Sequence, residues 1–260
     1  MLIDIHSHLD HHFYKEDIDA VIGRAEEANV KVILTAGINP QTNRESLALA
    51  KKYDMVKPCL GIYPVQTLQK EIEQANYPLP FSPFDIDEEI AFIKKHGKQI
   101  AAVGEIGLDY HWTRDYAKEQ EILFEKMASL AEELGKPIVV HSRKAEQECI
   151  SFLESTSIKK IVMHCFSGKK NLVKKIVDNG WYLTAPTSIG RNPQFQENVS
   201  LTPITQLFCE TDAPYLSPWK EKRNEPAFII EAYKKVAEIK KMEVEEVIKN
   251  MWMNWQRVFL

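Results

Sequence analysis

Short apolar, β-branched runs recur eight times along the chain, each separated from the next by a stretch with helical period. They are LIDIH at 2–6, KVILTA at 31–36, VKPCLGI at 56–62, IAAVGE at 100–105, PIVVH at 137–141, KIVMH at 160–164, WYLTA at 181–185 and LFCET at 207–211. Between them, Ile18, Val21, Ile22 and Ala25 mark one amphipathic helix; Leu123, Met127, Leu130 and Leu134 mark another with the same spacing. Strands alternating with helices imply parallel strands and right-handed crossovers. Eight such units predict an α/β chain closed as a (β/α)8 TIM barrel rather than opened as a doubly wound sheet. No Gly-rich phosphate loop follows the first strand, which also weighs against a dinucleotide-binding sheet. The 260 residues fit one barrel, and no linker, repeat or low-complexity tract divides them, so a single domain over 1–260 is expected. Residues 63–84, with NYPLPFSP, read as a Pro-rich insertion after the third strand, and 226–240 and 243–251 as closing helices.

Composition narrows the class. A net charge of −4 gives no global basic field for nucleic acid, so any attraction for phosphate has to be local. Cys59, Cys149, Cys165 and Cys209 are widely spaced with no C-x-x-C pair, which predicts thiols in a reducing compartment rather than a disulfide frame. No apolar run approaches the ~18 residues of a membrane span. Met1 leads directly into the first strand, so no signal peptide and a cytoplasmic location are expected.

The polar residues that end these strands carry the chemistry. In LIDIHSHLD, residues 4, 6 and 8 share one face of an extended strand, so Asp4, His6 and His8 point together. Glu105 ends the fourth run, His141 the fifth and His164 the sixth, and Asp212 follows the eighth. A barrel gathers all these ends on the face where catalytic groups sit. Buried imidazoles need partners, and four histidines with two carboxylates exceed what one tetrahedral ion takes. They suit two divalent cations with Glu105 placed to bridge. Imidazole ligands favour Zn, Mn, Fe or Ni over Mg, which prefers oxygen.

The motifs DIHSHLD, VGEIGLDY, VVHSRK, MHCFSG and ETDAPYLSP followed by KRNEP resemble the TatD family of metal-dependent hydrolases, among the amidohydrolase-like barrels. The likeness runs from residue 2 to the closing NWQRVF. It implies a TIM barrel, two divalent cations and deoxyribonuclease activity, as a 3′–5′ exonuclease or an endonuclease. Carried over residue by residue, His6, His8, Glu105 and Asp212 hold one ion; Glu105, His141 and His164 hold the second. The resemblance makes Asp212 and Glu105 the catalytic carboxylates, with Asp212 accepting the proton of the nucleophilic water. One departure stands out: where the family carries Gly-x-His-Pro, this chain reads GIYP, with Tyr63 in place of the histidine.

Supporting residues have paired readings. Tyr63 is a candidate hydrogen-bond donor to a substrate phosphate. Arg143, two residues beyond His141, either clasps phosphate or forms an ordinary salt bridge. Arg223 and Asn224 are substrate-side candidates by resemblance and solvated loop residues otherwise. Asp4 and Glu210 have the parity to accept the free ring N–H of a ligating histidine. Trp112, beside His111, either stacks on a base or anchors its loop. His11 and His12 read as solvent-facing. The expected partner is DNA, with single-stranded ends favoured over duplex; a small phosphoester, amide or acyl ester is the alternative substrate, and a non-catalytic nucleic-acid-binding protein is disfavoured by the complete ligand set. No membrane and no obligate protein partner are expected.

Overall fold

Eight parallel strands follow one another in sequence order around a single sheet. The computed structural model describes residues 1–68 and 83–260, so most of the expected Pro-rich insertion lies outside the described residues. The strands are β1 (Leu2–Ser7), β2 (Val30–Gly37), β3 (Val56–Leu60), β4 (Ala102–Gly107), β5 (Ile138–His141), β6 (Ile161–Met163), β7 (Tyr182–Pro186) and β8 (Leu207–Glu210). The described α-helices are α1 (Ile18–Glu27), α2 (Pro40–Lys52), α3 (Ile86–Lys95), α4 (Ala117–Leu134), α5 (Glu146–Glu154), α6 (Lys170–Asp178), α7 (Pro193–Leu201), α8 (Ile230–Lys240) and α9 (Val244–Phe259). The expected TIM barrel is the fold observed.

Strands with both faces covered read as continuous apolar runs, and every residue of β1 and of β4 is buried. The helices bury one stripe each, Val21, Ile22 and Ala25 in α1 and Leu123, Met127 and Leu130 in α4. β4 and α9 run two or more residues past the C-terminal ends that their sequence patterns suggest. β4 continues to Gly107 because Glu105 faces the barrel interior instead of ending the strand, and Ile106 beyond it is fully buried. α9 continues to Phe259 because Met251, Trp255 and Val258 keep one buried stripe. Gly107 has φ +137°, and a Cβ there would meet the His141 carbonyl oxygen at 2.0 Å, so only glycine lets β4 lie this close to β5.

The β1–β8 seam closes the barrel, and side chains do much of the closing. At the top, the Asp212 N–H donates to His6 O at 2.9 Å and the His8 N–H to Ala213 O at 2.7 Å. In the middle, the buried Asp4 carboxylate accepts from the Thr211 N–H (2.8 Å) and hydroxyl (2.5 Å). At the bottom, the Tyr233 hydroxyl of α8 accepts from the Ile3 N–H (3.1 Å) and donates to the Ile3 carbonyl (3.0 Å). Tyr233→Phe leaves both groups of Ile3 buried without that partner, which costs about 1–3 kcal/mol. Urea unfolding of the variant is expected to show that loss while metal uptake persists; an unchanged midpoint would remove Tyr233 from the seam.

Candidate metal centre

His6 lies on β1 and His8 just beyond it, Glu105 on β4, His141 at the end of β5, His164 after β6 and Asp212 after β8. The barrel brings all six together at one mouth. His6 Nε2 and His8 Nε2 are 3.2 Å apart. Glu105 Oε2 lies 3.6 Å from each of them, and Asp212 Oδ1 3.7 and 3.4 Å from them respectively. The other carboxylate oxygen, Glu105 Oε1, is 2.7 Å from His141 Nδ1 and 3.4 Å from His164 Nε2. One carboxylate thus presents one oxygen to each of two imidazole pairs. The sets His6/His8/Glu105, Glu105/His141/His164 and His6/His164/Asp212 each keep their donor atoms within 4.8 Å of one another.

The outer nitrogen of each ring reveals what the inner one offers. His8 Nδ1 faces the Ala36 carbonyl at 2.9 Å, His164 Nδ1 faces Glu210 Oε2 at 3.0 Å, and His141 Nε2 faces Asp109 Oδ2 at 2.9 Å. A carbonyl or carboxylate oxygen can only accept, so in the neutral rings the proton sits outside and the lone pair points inward. His6 is fully buried, and its Nδ1 has no hydrogen-bond partner among the described residues. Inward lone pairs crowded against two carboxylates repel one another unless a cation lies between them. The donor set therefore fits divalent metal.

Without such an ion the carboxylates draw in protons. Burial opposes a charge on His8, yet its hydrogen bond to Asp212 and the charge of Glu105 raise the imidazole to about 9. Burial is likewise outweighed at His141, where Asp109 and Glu105 raise the ring to about 9. Glu105 resists the burial that would neutralise it, because His141 and His164 hold it well below the usual carboxylate range. Burial and the nearby His164 push His6 the other way, well below an ordinary imidazole.

Around this centre opens a cavity of about 980 Å³ at the strand ends. Arg143 is exposed on its rim, its guanidinium 5.8 Å from the Trp112 ring. Trp112 lines the cavity and packs on the apolar cluster of Ile38, Tyr63, Val65 and Leu68, so it anchors its loop as well.

The structure gives intramolecular partners to several of the other expected site residues. Tyr63 lines the cavity, but its hydroxyl donates to Asp109 and lies 3.3 Å from His141 Nε2, so it braces a ligand candidate. Asn224 is fully buried and donates its amide to Thr187 Oγ1 and to the carbonyls of Thr211 and Tyr215, which makes it loop scaffolding. Arg223 forks onto Asp17 at 2.9 and 2.6 Å and also donates to the Phe13 carbonyl, facing the first loop. Asp4 holds Thr211 in the seam and, among the described residues, bonds to no histidine ring, whereas Glu210 does anchor His164. His11 is half-buried with both ring nitrogens in hydrogen-bond range of neighbours, while His12 is exposed as expected.

Sequence reasoning missed two anchors. Asp109 has a legible signal, since it stands four residues beyond Glu105 within the same motif, but the motif alone assigns it no role. The Ala36 carbonyl had none, because a main-chain oxygen leaves no mark in a sequence.

Fold and donors together define a class: a (β/α)8 barrel carrying a divalent-metal donor set at its C-terminal mouth. The chain belongs to the TatD family; the family described as "TatD related DNase" matches residues 3–260. It is 32% identical to human Deoxyribonuclease TATDN3, over 99% of this chain and 94% of that protein. It is 34% identical to metal-dependent hydrolase MJ1582 of Methanocaldococcus jannaschii, over 99% and 96%. The crystal structure of the TatD homologue YJJV from Escherichia coli shares the fold, with a TM-score of 0.87 at 23% identity over 99% of this chain and 97% of that one.

Two outcomes follow from the proton inventory. Metal must displace protons from His8 and His141, whose ion-free values near 9 keep them charged at neutral pH. Calorimetric titration in buffers of differing ionisation enthalpy is expected to show proton release at pH 7 and affinity that rises from pH 6 to 8. Affinity independent of pH would contradict the assignment. Asp109→Asn weakens the anchor of His141 and is expected to lower metal affinity by roughly 10–100-fold; unaltered affinity would show that the ring needs no such brace.

Proposed function

We propose that the protein is a two-metal phosphodiesterase that hydrolyses DNA, trimming single-stranded ends in the 3′–5′ direction. The observation that carries this reading is the split of Glu105, whose two oxygens face two separate imidazole pairs. His6, His8, Glu105 and Asp212 would hold one cation, and Glu105, His141 and His164 the other. Bound there, divalent cations would supply Lewis acidity toward phosphate oxygens and lower the pKa of water.

The chain's own residues do the rest. Asp212 is the accessible carboxylate of the set, with 15% of its side chain exposed against 4% for Glu105. It takes the proton of a water that attacks phosphorus in line, forming the new P–O bond. The bond to the 3′ oxygen breaks, the leaving oxygen gains a proton, and a 5′-mononucleotide departs. Arg143 on the rim steadies a phosphate outside the scissile bond. Deoxyribonuclease relatives support DNA as the substrate. The acidic whole-chain charge favours a short strand entering the cavity over a duplex laid across the surface.

Metal-reconstituted protein should be assayed with labelled single- and double-stranded DNA beside a phosphomonoester and an acyl ester. Single strands are expected to yield 5′-mononucleotides from the 3′ end, and chelation to abolish the reaction. Asp212→Asn at saturating metal is expected to slow turnover by at least ~10²-fold. Turnover of the acyl ester or phosphomonoester with no cleavage of DNA under Mg, Mn, Zn or Co would overturn the nuclease reading.

A further inference from the structure

Closure of the seam sets the loop after β1 beside the loop after β8, and aromatic rings from both meet at the mouth. The Tyr215 ring lies 6.4 Å from that of His8 and 5.5 Å from that of His11. The His11 ring in turn lies 4.5 Å from that of Phe13. The chain of rings runs from a metal-ligand candidate through Tyr215 and His11 to Phe13, and two of its members reach solvent: Tyr215 is 41% and Phe13 53% exposed. Tyr215 and His11 line the cavity and Phe13 stands against His11, and the exposed part of each ring gains nothing from burial as it stands.

The main chain that carries these rings is held in place. Tyr215 donates its N–H to Asp212 O at 2.9 Å, and its carbonyl accepts from the Asn224 amide at 2.6 Å. The Phe13 carbonyl accepts from Arg223, itself fixed by Asp17. His11 Nδ1 accepts from the Phe13 N–H at 3.2 Å, so that nitrogen bears no proton and the ring's proton must be on Nε2. Nε2 lies 3.1 Å from the Tyr215 hydroxyl oxygen and therefore donates to it. The Tyr215 hydroxyl proton is thereby left for another acceptor, and Tyr215 lines the cavity.

We propose that Phe13, His11 and Tyr215 form a nucleotide subsite: the exposed rings stack on the terminal bases of a single strand, and the Tyr215 hydroxyl donates to a phosphate oxygen. The subsite rests on the phosphodiesterase reading and gives it a substrate class, a strand end that carries bases. Stacking tolerates any base, because each has a π-face, so the subsite selects for single-strandedness and not for sequence.

The test uses the metal-loaded protein on a single-stranded oligonucleotide and on the same strand with its terminal bases replaced by tetrahydrofuran abasic residues. Wild type is expected to favour the base-bearing end in kcat/KM by on the order of 10-fold. Phe13→Ala and Tyr215→Ala are each expected to pull that ratio toward one, chiefly through KM. Tyr215→Phe keeps the stacking face and is expected to retain the ratio while lowering kcat/KM on both ends alike, by on the order of 10-fold for a lost bond to a charged group. Equal cleavage of both ends by wild type, or a ratio unmoved in both alanine variants, would overturn the subsite and leave the phosphodiesterase standing. Absence of any DNA cleavage would overturn both.

Discussion

The β1–β8 seam is the constraint on which the rest of this structure depends. A parallel barrel must join its last strand to its first, and here the join is made at three depths by different means. Main-chain bonds at the top come from His6, His8, Asp212 and Ala213, three of which are ligand candidates. Closing the barrel therefore also brings His6, His8 and Asp212 together. Asp4 and Tyr233 complete the lower seam with side-chain oxygens, where buried main-chain groups would otherwise lack partners. The same join places the loops after β1 and β8 side by side and so assembles the aromatic rim.

The metal centre is defined as much by where its protons are kept as by which residues compose it. Ala36, Glu210 and Asp109 hold the ring protons of His8, His164 and His141 on the outside, at 2.9, 3.0 and 2.9 Å. What faces inward is a set of lone pairs and two carboxylates. Such a set is unfavourable when empty, which is why His8 and His141 recruit protons up to about 9 in the ion-free protein. Protons and metal compete for the same lone pairs, and the anchors settle how the rings are turned whichever of them is present.

Much of this was legible in the sequence because two periodicities carry it. Alternation along β1 put Asp4, His6 and His8 on one face, and the recurrence of strand and helix put six polar residues at one mouth. What the sequence concealed was nonlocal. Asp4 has the parity of a ligand anchor, yet the seam brings Thr211 to it before any imidazole. Arg223 and Asn224 stand beside the mouth in sequence, but the turn of the last loop aims one at Asp17 and buries the other. Tyr63 stands where the family carries a histidine, and its hydroxyl meets Asp109 from the loop after β4, a contact that no local pattern announces.

The central claim is that the inward-facing donors hold two cations that share Glu105. Crystals grown with manganese or zinc and measured above and below the absorption edge of that metal test it most directly. Two anomalous peaks are expected, one against Glu105 Oε2 with His6, His8 and Asp212, the other against Glu105 Oε1 with His141 and His164. A single peak, or peaks away from Glu105, would contradict it.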